Sequence, residues 1–140
     1  MTDPKSAESV LQVRVYYEDT DAGGVVFYAN YLKFLERART EWLRNLGVNQ
    51  SNLAASEQRL FVVRSLDMSY RKPARLDDLL TIRSRITRLG RASIHFAQRA
   101  ERDGELLADG NIQVCCVDAI HMRPAELPAD VRAKLEFIQE

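Results

Sequence analysis

Apolar and polar residues alternate in four successive runs from Leu60 to Ala119, and this period of two constrains the fold more than any other feature. Such alternation is typical of strands with one buried face and one solvated face. Short turn sequences separate the runs, and Asp103-Gly104 is a strong hairpin signal. We predict an antiparallel meander with a bulge at Gly110. Its strands are expected over residues 60–72, 77–89, 92–102 and 106–119.

One strand and one long helix precede these runs. Alternation over Leu11–Glu18 predicts the first strand. Apolar residues then recur at spacings of three and four from Tyr28 to Leu46, which predicts a helix that ends at Gly47. We expect residues 1–10 to be flexible, residues 48–58 to add a helical turn, and residues 128–139 to form a short C-terminal helix.

The order of these elements predicts one α+β domain over residues 1–140. An antiparallel sheet with one apolar face must be covered, and a helix with a broad apolar stripe can cover it if the sheet curls around the helix. We therefore predict a curved sheet of about five strands wrapped around one long central helix.

Charge and composition exclude several classes of protein. The formal net charge is zero, which disfavours a nucleic-acid-binding protein. No apolar stretch is long enough to span a membrane, and the N-terminal residues lack the apolar segment of a signal peptide, so we expect a cytoplasmic protein. Cys115 and Cys116 are adjacent in an apolar strand and are predicted to be reduced packing residues. Bases outnumber acids between Arg64 and Arg102, a zone that could meet an anionic small molecule.

The sequence Asp19-Thr-Asp-Ala-Gly-Gly24 joins the first strand to the long helix. Paired aspartates suggest a metal, but an EF-hand loop counted from Asp19 would have Gly23, which has no side-chain oxygen, at position 5 and Asn30 in place of the bidentate Glu at position 12. Phosphoryl transfer of the haloacid dehalogenase type needs a parallel α/β scaffold, whereas this chain is predicted to be mostly antiparallel. We therefore predict no metal.

Two interpretations of this turn remain open from local features. The glycines would let a ligand approach the backbone, and the free N–H groups at the helix start would polarise a carbonyl oxygen that a nearby carboxylate could attack directly or through water. Alternatively, the segment is a plain turn whose carboxylate caps the helix.

The sequence around this turn closely resembles a known enzyme signature. The segments "VRVYYEDTDAGGVVFYANYLKFLERARTEWL", "FVVRSLDMSYRKPARLDDLLTI" and "VCCVDAIHMRPAELP" resemble the hot-dog-fold acyl-CoA thioesterases of the 4-hydroxybenzoyl-CoA thioesterase family. They are most similar to the branch associated with the Tol-Pal cell-envelope system. The resemblance implies the hot-dog fold and hydrolysis of an acyl-CoA to free acid and coenzyme A.

The resemblance also implies roles for residues of the turn. Asp21 would be the catalytic nucleophile or general base, the backbone N–H of Tyr28 would polarise the thioester carbonyl, and Asp19 would shape the turn. Many members of this branch carry a histidine where this chain has Tyr28, which leaves the rate and substrate preference open. Substrate-binding roles are predicted for Gly24, Tyr31, Phe61, Val63, Arg88, Arg91 and Ser93, of which the last three would meet the phosphates of coenzyme A.

Further expectations concern partners and alternatives. Hot-dog proteins of this type imply a homodimer or homotetramer with sites between protomers, and no cofactor beyond the coenzyme A of the substrate. Glu36 is predicted to be a structural partner of Arg39 or Arg64. The alternative function is a non-catalytic module that binds acyl-CoA or acyl carrier protein. A hot-dog dehydratase is less favoured because that chemistry generally relies on a positioned histidine.

Overall fold

A computed structural model describes residues 7–138 and shows one five-stranded antiparallel sheet with helices packed against it. The strands are β1 (Glu8–Arg14), β2 (Arg59–Tyr70), β3 (Leu79–Leu89), β4 (Ser93–Arg102) and β5 (Glu105–Asp118). The helices are α1 (Asn30–Asn45), α2 (Gln50–Asn52) and α3 (Ala129–Ile138), and a 3₁₀ turn (Tyr17–Asp19) and a π-helical turn (Leu53–Glu57) complete the described elements. The α+β class is confirmed, and so is the helical turn within residues 48–58.

The strand order is β1-β3-β4-β5-β2, which corrects the predicted four-stranded meander. Strands β3, β4 and β5 pair in succession as expected, but β2 pairs with β5 at the sheet edge and not with β3. The connection over residues 71–78 therefore crosses the end of the sheet, a distance of three strand spacings or about 14 Å. We call residues 71–78 the crossing loop.

The structure also moves the limits of the first strand. Strand β1 begins at Glu8, within the segment expected to be flexible, while residues 1–6 of that segment lie outside the described residues. The strand ends at Arg14, before the predicted Glu18, because Tyr16 and Tyr17 are exposed and lead into the 3₁₀ turn. The alternation of apolar and polar residues continues past Arg14, which is why the sequence predicted a longer strand.

Gly110 lies in a continuous register with Met68 and Gln98, so the predicted bulge is wrong. The register shifts lie elsewhere, between Val63 and Ser65 in β2, for example. A Cβ atom at position 110 would lie 2.2 Å from the backbone oxygen of Asp67. The glycine is therefore required for close approach of two strands.

The core lies between α1 and the inner face of the sheet. The helix contributes buried residues at spacings of three and four, and β3, β4 and β5 contribute alternate residues. Each large side chain buried in this way stabilises the fold by about 2 to 3 kcal/mol. The largest are Phe34, Leu35, Trp42, Leu80, Ile82, Ile94, Phe96 and Ile112.

The two cysteines are buried and reduced, as predicted. Burial raises the pKa of the Cys116 thiol to about 11, so this group stays protonated and packs as an apolar side chain. Within residues 7–138, no helix combines the length and the apolar character that crossing a membrane requires.

Candidate active site

The Asp-Gly-rich turn is a tight hairpin between the 3₁₀ turn and α1. The Asp21 N–H donates to the Val25 carbonyl at 2.9 Å, and the Gly24 N–H donates to the Asp21 carbonyl at 3.0 Å. Gly24 has a φ of 80°, a conformation that other residues adopt only with strain. Gly24 thus closes the hairpin that presents Asp21.

Asp19 holds the ends of this hairpin together. One carboxylate oxygen accepts a hydrogen bond from the Tyr16 N–H at 2.8 Å, and the other accepts one from the Asn30 side-chain amide at 2.9 Å. Asn30 is the first residue of α1 and is buried. Because both oxygens are engaged, the Asp19 side chain connects Tyr16, the residue before the 3₁₀ turn, to the first residue of α1. This agrees with the turn-shaping role that the resemblance implies.

Asp21 has a different environment, since its side chain is exposed. One carboxylate oxygen accepts the Gly23 N–H at 2.8 Å. No residue in the described part of the chain donates to the other oxygen. A carboxylate oxygen of Asp21 is therefore free to act on a substrate or a water molecule.

The start of α1 supplies donors beside this hairpin. The Phe27 N–H donates to the Asp19 carbonyl and the Asn30 N–H to the Phe27 carbonyl, at 3.2 and 2.8 Å. Between them, the N–H of Tyr28 has no acceptor among residues 7–138. It lies just before the positive end of the helix dipole, where a donor can stabilise negative charge on an oxygen atom.

The crossing loop is the platform on which this site is built. Val26 N–H donates to the Ala74 carbonyl at 2.8 Å, and Val25 forms a bridge with Arg75. The Ala74 N–H in turn donates to the Tyr31 hydroxyl at 3.1 Å. The strand order therefore matters for the candidate site, because it creates the crossing loop, and this loop holds the extended segment that connects Gly24 to α1.

Tyr31, predicted to bind substrate, is only 3% exposed. Burial raises the pKa of its phenol, although the Ala74 N–H and Arg102 act in the opposite direction. Its ring lies 5.5 Å from the ring of Tyr70, which lies 6.1 Å from that of Tyr28. Within this chain, Tyr31 supports the hairpin and the exposed aromatic rings above it.

A groove lies between α1 and β2, and its lining along the helix begins at Leu32, the residue after Tyr31. We call it the α1–β2 groove; it consists of two adjoining parts of about 250 and 310 Å³ that share Glu36, Arg39 and Val63. Phe61 and Val63, predicted to contact the acyl group, line it. Its remaining lining residues are Leu32, Lys33, Thr40, Gln50, Val62, Leu66, Ile112 and Val114.

A buried polar chain beside this groove was missed by the sequence analysis. Arg39 donates to the Gln98 side-chain oxygen at 2.9 Å, and the Gln98 amide donates to the Leu35 carbonyl and the Ser84 hydroxyl. The available signal was a polar residue at an inward position of two strands, Ser84 in β3 and Gln98 in β4. Burial lowers the pKa of Arg39, and the charge of Glu36 partly offsets this.

The predicted pairing of Glu36 with an arginine is not found as an ion pair. Among the described residues, no salt bridge joins Glu36 to Arg39 or to Arg64. Arg39 turns to Gln98 instead, and Glu36 lies at the solvent side of the groove.

The residues predicted to meet phosphates lie at the other end of the sheet. Arg88 and Ser93 flank the turn between β3 and β4, and the exposed Arg91 in that turn pairs with Glu126 at 3.1 Å. The ten residue steps of β3 separate this turn from the end of the crossing loop by about 33 Å. Within one chain the structure therefore does not bring these residues to Asp21.

Arg132 of α3 also reaches this turn and was not identified from the sequence. It donates to the carbonyls of Gly90 and Arg91, in the latter case at 3.2 Å. Residues 7–138 contain no cluster of three or more His, Cys, Asp or Glu side chains that could hold a metal ion.

The five-stranded antiparallel sheet packed on the long helix α1 is the arrangement expected of a hot-dog thioesterase. The sequence model of the Thioesterase superfamily matches residues 23–108, more than half of the chain, and the chain belongs to this family. Asp21 lies just before the matched residues, so its role must be argued from its geometry.

Similar proteins cover nearly the whole chain. The acyl-CoA thioesterase YbgC of Haemophilus influenzae is 45% identical over 91% of this chain and 93% of its own length. The acyl-CoA thioester hydrolase YbgC of Escherichia coli O6:H1 is 47% identical over 89% and 92%. The crystal structure of a probable thioesterase from Bartonella henselae superposes with a TM-score of 0.83 at 37% identity, covering 87% of this chain and all of that one. The hot-dog fold and the thioester hydrolase class are thus confirmed.

Proposed function

We propose that this chain hydrolyses the thioester of acyl-CoA substrates through the Asp21 carboxylate. The observation that carries the proposal is that the hairpin-to-helix junction presents both an Asp21 oxygen and a Tyr28 N–H that have no partner among the described residues. The substrate class is supported by two relatives that are named for acyl-CoA and match about nine-tenths of both chains. A module that only binds acyl-CoA or acyl carrier protein is disfavoured, because both relatives are named as hydrolases.

The reaction would begin with the thioester carbonyl oxygen at the Tyr28 N–H. As the carbonyl carbon is attacked, negative charge develops on this oxygen, and the N–H and the start of α1 stabilise it. Asp21 either attacks the carbon itself, which expels coenzyme A as a thiolate and leaves an anhydride, or removes a proton from an attacking water. In the first case water then opens the anhydride, and the water oxygen ends in the Asp21 carboxylate or in the released acid, depending on which carbonyl carbon it attacks. In the second case the water oxygen ends in the released acid, and in both cases the thiolate is protonated to the thiol.

No histidine takes part in this mechanism. His95 contacts Ser93 on β4, and His121 pairs with Asp118 after β5, so neither belongs to the hairpin. The Tyr28 side chain is exposed and packs against the ring of Phe27 at 4.7 Å. Tyr28 would therefore line the mouth of the site, and its backbone would supply the donor.

The active enzyme would be at least a homodimer formed through β2. This strand has twelve residues, and among residues 7–138 its only strand partner is β5, which leaves its other edge available for a second protomer. Antiparallel pairing of two β2 edges would place the Arg59 end of one protomer beside the Tyr70 end of its partner. A site made from both protomers would account for the separation between Asp21 and the predicted phosphate contacts Arg88, Arg91 and Ser93. A homotetramer and a link to the Tol-Pal system remain predictions from the resemblance, and a cytoplasmic location remains a prediction from the pattern of apolar residues.

The test is a panel of acyl-CoA substrates of increasing chain length, followed by release of free thiol. The proposal expects turnover on part of the panel, and a chain that is inactive on every member would contradict it. Single-turnover hydrolysis in ¹⁸O-labelled water then separates the two roles of Asp21. Label in the Asp21 carboxylate requires an anhydride that water opens at the Asp21 carboxyl carbon, whereas general-base catalysis places label in the released acid alone.

A further inference from the structure

The α1–β2 groove is lined along α1 from Leu32, the residue after Tyr31, to Arg39 and Thr40. Along β2, the residues that face the helix follow one another from Tyr70, beside Tyr28, through Leu66 to Val63. Arg39 lies nine residues after the helix start at Asn30, or about 13 Å along the axis.

Arg39 is a buried cation with most of its donors unused. It is 7% exposed, and its guanidinium lies 5.9 Å from the centre of the Phe96 ring. A guanidinium carries five N–H donors, yet the only acceptor for Arg39 among the described residues is the Gln98 side-chain oxygen.

The remaining N–H groups of Arg39 face the groove. Among residues 7–138, the only fully buried side-chain nitrogen or oxygen without a partner is Trp42 Nε1, so the other Arg39 nitrogens are not sealed in the core. Arg39 also lines both parts of the groove. Burial of a charge is costly, the charge of Glu36 offsets this cost only in part, and an oxygen acceptor from outside the described chain would offset it further.

We infer that Arg39 selects acyl groups with an oxygen acceptor, a hydroxyl or a carboxylate, at the end remote from the thioester. This inference rests on the proposed function, because it takes the thioester to lie at the start of α1. An acyl chain that begins there and follows Leu32, Leu66 and Val63 would meet apolar side chains first and the guanidinium last. The backbone positions of Asn30 and Arg39 are about 13 Å apart along the helix axis. The Arg39 side chain leans towards the helix start and spans part of this distance, so we expect the contact to need an acyl chain of several carbons.

The charges around Arg39 distinguish the two kinds of polar end. Glu36 lines the same groove and would repel a carboxylate, whereas it could accept a hydrogen bond from a hydroxyl. Lys33 adds a second positive charge at the more exposed side. Replacing Glu36 by Gln should therefore raise kcat/KM for carboxylate-ended chains relative to methyl-ended chains of the same length.

The experiment compares acyl-CoA substrates of equal length that end in methyl, hydroxyl or carboxylate, in a series of chain lengths. The inference expects kcat/KM to be about tenfold higher or more for a polar end, because a hydrogen bond to a charged group is at stake, and only at lengths that reach Arg39. Arg39→Met should abolish this ratio. Arg37→Met, on the exposed side of the same helix, is the matched control and should preserve it.

Three results would overturn the inference. They are equal or better hydrolysis of methyl-ended chains by the unmodified protein, an unchanged ratio in Arg39→Met, and no response of carboxylate-ended chains to Glu36→Gln. The first and third do not depend on whether Arg39→Met folds. Binding of the corresponding non-hydrolysable S-alkyl-CoA thioethers, measured by calorimetry, gives the same comparison without turnover. A polar-end preference in binding with no hydrolysis would refute the proposed function and keep the inference.

Discussion

Replacing Asp19 by Ala should lower the thermal stability of the protein and keep the Asp21 carboxylate, the group proposed to perform the chemistry. The Asp19 carboxylate accepts hydrogen bonds from the Tyr16 N–H and from the buried Asn30 amide. Loss of both bonds, with a buried amide left without its partner, should cost about 2 to 4 kcal/mol. At about 3 to 4 °C per kcal/mol for a chain of this size, Tm should fall by roughly 6 to 16 °C.

Asp21→Ala is the matched control for this prediction. Asp21 accepts only the Gly23 N–H at an exposed turn, so its loss should cost no more than about 1 kcal/mol. Thermal unfolding of both variants is measured at equal protein concentration, because assembly would make Tm depend on concentration. An Asp19→Ala variant as stable as the unmodified protein, or an Asp21→Ala variant that loses more stability than Asp19→Ala, would refute the assignment of the two aspartates.

Two further changes test the sheet and its charges. Gly110→Ala would place a Cβ atom 2.2 Å from the Asp67 backbone oxygen, so we expect a loss of about 2 to 3 kcal/mol in urea unfolding, and an unchanged midpoint would contradict the close approach of the strands. Arg102 donates to the carboxylates of Asp78 and Glu105. Burial alone would raise the pKa of Asp78, but hydrogen bonds from Arg102 and from a backbone N–H outweigh burial, so the pKa is lowered. Lys72 and Arg102 lower the pKa of Glu105. The lowered pKa values stabilise the fold at pH values above 3.8 for Asp78 and 4.5 for Glu105, their ordinary values, and this stabilisation is lost as the pH falls below them. The Tm of Arg102→Gln should therefore fall less between pH 5 and pH 3 than the Tm of the unmodified protein.

The sequence pattern predicted the elements better than their pairing. The period of two identified β2 to β5, and the stripe from Tyr28 to Leu46 identified α1, which in the structure spans Asn30–Asn45. The helix starts later because Val25 and Val26 pair with the crossing loop and Phe27 bonds to Asp19. Local periodicity contains no information on such long-range bonds.

The partner of β2 could not be predicted from its own residues. Adjacent strands commonly pair, and the turn at Asp77 and Asp78 suggested a hairpin between β2 and β3. The sheet instead places β2 against β5, and the inward side chains of β2, such as Leu66 and Met68, face Ile112 and Gly110. The pairing is decided by packing of whole strands, which alternation alone does not specify.

The position of the candidate site in the fold was predicted from local sequence, whereas contacts between residues far apart in the chain were not. The hairpin at Asp21 and Gly24 is local, and the sequence placed it correctly between a strand and a helix. Tyr31 was expected to contact substrate, but its hydroxyl is used by the crossing loop, a contact between residues 43 positions apart. Arg39 was considered only as a partner for Glu36, whereas the inward polar positions Ser84 and Gln98 were the signal for its true environment.

The most direct test of the account is the turnover number of Asp21→Asn on the best acyl-CoA of the panel. Asn keeps the size of the side chain and the oxygen that accepts the Gly23 N–H, but it can neither attack the carbonyl nor remove a proton from water. The account predicts a fall in kcat of at least about 100-fold with Tm nearly unchanged. A kcat within a few fold of the unmodified protein would contradict the central claim that Asp21 performs the hydrolysis.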